Sequence, residues 1–179
     1  MKKSALYFVI IIALTCCNLI NPRYKMMTDI MLPNINPGDY VKLDKEADSF
    51  TYGDIVLYEF GMDDDSQPMT GIYRIVGLPN DSFAIKNNIC IINGVENKNR
   101  LVRKGNAADQ HEEVFPNGVK VSTLFHQLDT VYGTMKAIKI PEGHYFVMGD
   151  YRSNSGDSRL HGPAPEGKIW GKVTEIIRN

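Results

Sequence analysis

Cysteine is scarce in this 179-residue chain: Cys16 and Cys17 lie inside an N-terminal apolar run, and Cys90 stands alone in the remainder. One thiol can build neither a disulfide framework nor a metal site, so none is expected and the fold must rest on packing. Cys90 itself reads as a small buried hydrophobe. Excess charge of either sign is missing too. The 20 basic and 21 acidic residues nearly cancel, which leaves no footprint for nucleic acid and no acidic tail. Internal repeats and low-complexity tracts are absent, which excludes solenoids and Pro- or Gly-rich linkers. At 43% hydrophobic residues, the composition is that of a folded chain, long enough for one compact domain with a small appended lobe.

The long apolar run is the strongest local signal. Lys2 and Lys3 precede sixteen residues, Ala5 to Ile20, broken only by Thr15 and Asn18, and Pro22 ends any helix. As a helix the run would be about 24 Å long, slightly short of a hydrocarbon core of about 30 Å. Three readings stay open: an uncleaved membrane anchor, a lipoprotein-type signal with Cys17 as the lipidated residue, and a secretory signal. All three place the remainder outside the cytoplasm. Residues 1–22 are therefore set apart from a domain at 23–179, with a small inserted lobe expected at about 83–138.

Beyond Pro22 the chain reads as short β-rich pieces between Gly, Pro, Asn and Asp. Strands are expected at Tyr40–Asp44, Asp54–Phe60, Gly71–Leu78, Phe83–Gly94, Thr134–Ile140, His144–Gly149 and Lys172–Arg178. Within the fourth, Asn87-Asn88 marks a hairpin turn, because both residues tolerate positive φ. Val121–Gly133 carries a helical apolar spacing. Asn97–Asn117 and Gly61–Gln67 read as exposed polar excursions, the three aspartates of the latter as a solvated turn rather than a cation loop. The fold class is all-β, coiled or barrel-like, behind an N-terminal hydrophobic helix.

Met148–Gly162, "MGDYRSNSGDSRLHG", has only two aliphatic side chains. A calcium loop needs oxygen ligands at alternate positions, and two residues after Asp150 stands Arg152, a cation. The remaining reading is a tight loop held by side-chain-to-backbone hydrogen bonds and an Asp157–Arg159 ion pair.

In sequence and order, "TDIMLPNINPGDYV" (28–41), "YGDIVLYEF" (52–60), "YRIVGLPND" (73–81) and "GDYRSNSGDSRLHGP" (149–163) resemble the conserved boxes of type I signal peptidases. Those are membrane-anchored serine endopeptidases of all-β fold that remove signal peptides outside the cytoplasm. The resemblance spans nearly the whole chain. It implies an exported polypeptide or signal peptide as partner, a cell-membrane location with the globular domain on the non-cytoplasmic side, and no cofactor.

Two positions depart from the family. Its first box reads Ser-x-Ser-Met-x-Pro; aligning Met31 and Pro33 puts Thr28 at the oxyanion position and Ile30 where the nucleophilic serine stands. Its third box begins Lys-Arg; Arg74, Gly77, Pro79 and Asp81 match, but Tyr73 occupies the position of the lysine base, and Asn80 replaces a glycine. The Ser/Lys dyad works because burial lowers the lysine pKa until a neutral amine can accept the serine proton. Isoleucine offers no nucleophile, and a phenol titrating near 10 accepts a proton poorly at neutral pH. No histidine falls at the base position. Asp150, Arg152, Ser155, Asp157 and Arg159 are retained as scaffold, and Ser155 is expected to meet the Tyr73 hydroxyl.

Three functions follow from this pattern. One is a catalytically inactive signal-peptidase-like protein that binds exported polypeptides or assists surface-protein assembly. Another is an active endopeptidase whose nucleophile lies elsewhere, with Thr28, Asp29 or Ser155 the near candidates and Lys25 the base nearest to Thr28. The last is a structural protein without ligand. Ile30, Tyr73 and Ser155 should converge in space in any of them, and a bound peptide should lie along an extended Asp29–Met31 segment.

Overall fold

The computed structural model describes residues 22–126 and 133–179. The apolar run with its anchor and lipidation readings lies outside them, as do residues 127–132. Among the described residues no helix is long and apolar enough to cross a membrane.

The described chain is almost entirely strand. β1 (Arg23–Lys25), β2 (Tyr40–Asp44), β3 (Ile55–Met62), β4 (Pro68–Gly77), β12 (His144–Met148), β13 (Ala164–Pro165) and β14 (Ile169–Ile177) form a seven-stranded antiparallel arrangement in the order β1-β2-β14-β3-β4-β12-β13. β5 (Ser82–Lys86), β6 (Ile89–Ile92), β7 (Val95–Glu96) and β11 (Met135–Lys139) form a second sheet, ordered β11-β5-β6-β7. β8 (Lys98–Arg103), β9 (Ala108–Val114) and β10 (Lys120–His126) form a third, ordered β10-β9-β8. Among the described residues the helical content is one turn, α1 (Ser158–His161), and a 3₁₀ turn at Glu166–Lys168.

The hairpin joining β5 to β6 turns through Asn87 and Asn88 at φ 50° and 64°, the left-handed pair that a two-residue type I′ connection requires. Asn80 likewise takes φ 68°, which asparagine tolerates in place of glycine. β4 is buried from Ile72 to Gly77 on both faces, so its sequence is a continuous run rather than an alternation. Ile72 packs with Met31, Ile35 and Leu57, whereas Tyr73 and Ile75 pack with Val56 and Val147. Val76 reaches a third cluster, where Phe83, Ile85 and Ile92 of the second sheet meet Phe115, Val121 and Phe146. Cys90 is buried in that cluster as a free thiol, and burial raises its pKa, reinforced by the Glu113 carboxylate.

Two sequence expectations are corrected here. The first half of the predicted helix Val121–Gly133 is strand β10, its buried side chains being Val121, Thr123 and Phe125. The exposed excursion expected at Asn97–Asn117 contains β8 and β9, with Asn97, Glu113 and Phe115 buried. The turn between β3 and β4 is exposed, as expected for the aspartate run.

Candidate active site

Ile30 and Tyr73, the positions expected to answer to the dyad, sit on different elements. Ile30 lies in a turn after β1, stitched by N–H bonds from Leu32 to the Asp29 carbonyl and from Asn34 and Ile35 to the Met31 carbonyl. Asp29–Met31 is therefore turn and not extended chain, which corrects the expected path of a bound peptide. The extended stretch is β1 with Met26 and Met27 behind it. Met31 is fully buried, and Pro33 follows a cis peptide bond. Thr28 is exposed.

Ile30 packs against the apolar cluster that contains Tyr73. The Tyr73 ring lies across Gly71, where an added Cβ would stand 2.6 Å from a ring carbon, and it meets Tyr58 and Phe60 edge-on. Its hydroxyl donates to the carbonyl of Gly156 at 2.9 Å. The expected partner, Ser155, is the neighbouring residue but not the acceptor. Ser155 Oγ is buried and has no hydrogen-bond partner among the described residues. Burial pushes the Tyr73 phenol up to about 12, and the Asp157 carboxylate and the Tyr58 ring act in the same direction. At neutral pH this hydroxyl is a committed donor.

The loop from Gly149 to Asp157 closes over these groups. Tyr151 N–H donates to the Ile30 carbonyl at 2.9 Å, and Asn154 Nδ2 to Asp29 Oδ1 at 2.9 Å. Gly149 lies so close to the turn that a Cβ there would stand 2.7 Å from the Ile30 carbonyl oxygen and would also meet Ser155 Oγ. Only a residue without a side chain fits. Ile30, Tyr73 and Ser155 are thus brought to one place from up to 125 positions apart.

Charged side chains hold that wall. Asp157 caps α1 by accepting from Arg159 N–H, takes both Arg159 Nε (2.8 Å) and Nη2 (2.7 Å), and accepts from Gly149 N–H. This is the ion pair expected from sequence. Asp150 is not an open ligand. Arg74 Nε and Nη2 both donate to it at 2.7 Å, Asn34 Nδ2 adds a third bond at 2.7 Å, and Arg74 Nη1 donates to the Gly53 carbonyl. Arg152, fully buried, pairs with Glu113 of β9, and its backbone bonds to Leu124 of β10. Asn34 and Glu113 escaped the sequence reading. Asn34 lies inside the first box but carries no charge, and Glu113 lies in the polar, charged stretch 97–117.

Beside Ile30 runs a shallow groove of about 180 Å³ between Tyr24–Thr28 on one side and Leu57 and Thr70–Ile72 on the other. β12 pairs with β4 only from Arg74 to Gly77, so the first half of β4 keeps one edge without a strand partner among the described residues. Among the described residues β1 is the terminal strand of its sheet. Among them, β1 and the first half of β4 each keep one strand edge unpaired. Lys25 and Thr28 face the same space.

The family model described as "Signal peptidase, peptidase S26" matches residues 2–177. A signal peptidase I of Bacillus licheniformis is 28% identical over 87% of this chain and 75% of its own length. A signal peptidase IB of Staphylococcus aureus is 27% identical over 97% of this chain and 90% of its own. A crystal structure of a signal peptidase I from Enterococcus faecalis V583 aligns with a TM-score of 0.44 at 23% identity, over 72% of this chain and 100% of that one.

Proposed function

The chain belongs to the signal peptidase, peptidase S26 family, and from that premise we propose that it is a catalytically silent member that holds exported polypeptide segments without cutting them. One observation carries this reading. The two positions that should supply nucleophile and base present Ile30, which has no nucleophilic atom, and Tyr73, whose proton is donated to the Gly156 carbonyl. A hydroxyl titrating at about 12 does not deprotonate a neighbour at neutral pH. The surrounding Arg74–Asp150 and Asp157–Arg159 pairs keep the backbone of the site in place around a core of apolar contacts.

Binding needs none of the missing groups. An extended peptide can add as a strand between β1 and the open half of β4, with main-chain hydrogen bonds supplying affinity and the groove receiving side chains. The family also supports the assignment of Ala5–Ile20 as a membrane anchor, with the β domain outside the cytoplasm; a lipidated Cys17 would serve the same end. An inserted lobe at about 83–138 would hold most of the second and third sheets.

A competing reading as an active endopeptidase has one observation in its favour, since Lys25 and Thr28 line the same groove. Lys25 is exposed, whereas the lysine of a Ser/Lys dyad works from a buried position.

Titration of the full-length, isotope-labelled protein in micelles with a signal-peptide fragment tests the binding claim. Amide shifts are expected at residues 24–28 and 69–72, with the fragment recovered intact. Binding confined to other surfaces, or none, would leave the structural reading without a ligand.

A further inference from the structure

The third sheet carries a charged face that the site does not use. Pairing places Lys98 and Arg100 of β8 opposite Val114 and Glu112 of β9, and after an irregularity Arg103 lies opposite Gln110. Lys120 of β10 also pairs with Val114. Cα partners in an antiparallel pair project to one side, so Lys98, Arg100, Arg103 and Lys120 share a face. The buried side chains of β10, Val121, Thr123 and Phe125, point the other way. Among the described residues of the three strands, Glu112 is the single carboxylate on that face, and it serves both Arg100 (3.3 Å) and Lys120 (3.9 Å). The cations therefore outnumber it four to one in a chain of nearly balanced charge.

β8 is also an edge. From Arg100 to Lys104 every residue is exposed, and Leu101 and Val102 among them are apolar, 42% and 50% accessible. Edge strands are commonly protected by charge, but protection does not call for two adjacent exposed aliphatic residues.

We infer that the outer edge of β8 is a docking strand for an extended acidic segment of a partner protein. Such a segment would pair its backbone with β8. Its alternate carboxylates, about 7 Å apart in a strand, would meet Lys98, Arg100 and Arg103, and its intervening apolar side chains would cover Leu101. Strand addition supplies affinity and the charges select the partner. A polyanion without a peptide backbone would use the cations alone.

Fluorescence anisotropy of a labelled Glu-Val-Glu-Val-Glu-Val-Glu peptide with the full-length protein in nonionic micelles tests this. Saturable binding is expected, weakened at least about tenfold by Arg100→Glu with Arg103→Glu. N-methylation of the amides along one edge of the peptide should weaken it by a similar factor. Should the double reversal disturb folding, Arg100→Gln with Arg103→Gln gives the same direction with a smaller effect. Three results overturn the inference: equal binding of the Gln-for-Glu peptide, no binding at all, or N-methylated peptide and inorganic polyphosphate binding as tightly as the parent peptide. The last would mark a general anion surface.

Discussion

Tyr73 and Ser155 make the residue scale testable. The folded Tyr73 phenol titrates above its unfolded value of about 10, so between pH 10 and 12 the native state holds a proton that the unfolded chain has lost. By linkage, stability from this group is complete below about pH 10 and falls as pH rises through 12. Urea unfolding between pH 9 and pH 11.5 should therefore show a steeper alkaline loss for the wild type than for Tyr73→Phe; parallel curves would place the phenol in solvent. Ser155 makes the opposite statement. A buried hydroxyl without a partner costs about 1–3 kcal/mol, and its Oγ has none among the described residues. Ser155→Ala should accordingly raise unfolding free energy by about 1 kcal/mol, whereas a loss would mean the hydroxyl is bonded.

The elements around the site are pinned by buried charge more than by helix or strand propensity. Asp150 is fully buried and takes three bonds from Arg74 and Asn34. Asp150→Asn leaves the Arg74 guanidinium without a counter-charge beside β4, and breaking a buried pair in this way costs about 3–5 kcal/mol. The exposed pair Lys42–Glu175 provides the contrast, since Glu175→Gln should cost less than about 1 kcal/mol. Thermal unfolding of the two variants separates these cases, and equal losses would contradict the ranking. Elements were legible in the sequence where local chemistry and tertiary packing agreed. The Asn87-Asn88 turn and β2 are examples, the one fixed by left-handed asparagines and the other by alternation. They were illegible where a polar residue filled a core position. Thr123 is buried in β10 and breaks its apolar alternation, while Leu124 lies partly open and supplies a helical spacing. In β9 the inward residue is Glu113, neutralised by an arginine 39 positions away, so the strand resembles a solvated segment. The acceptor of Tyr73 was missed for a related reason: a backbone carbonyl has no letter in the sequence.

At the scale of the whole molecule, the chain belongs to the signal peptidase family, and the proposal is that Ile30 and Tyr73 stand in place of its reacting pair. The Gly149–Asp157 loop, the β1 turn and β4 converge on Ile30 and Tyr73 with their cross-links in place. If the silence of the site lies in those two side chains alone, restoring them should restore chemistry. The direct measurement is cleavage of a signal-peptide-bearing precursor by full-length protein at neutral pH, comparing wild type, Thr28→Ala, Ile30→Ser, Tyr73→Lys and the double variant Ile30→Ser with Tyr73→Lys. The account predicts no product from the wild type, from Thr28→Ala or from either single restoration, because a hydroxyl without a base, or a base without a hydroxyl, performs half the reaction. The double variant should yield slow but detectable product, since a misplacement of about 1 Å costs roughly a hundredfold in rate. Cleavage by the wild type that persists in Thr28→Ala would contradict the account, for the nucleophile would then lie where none is assigned.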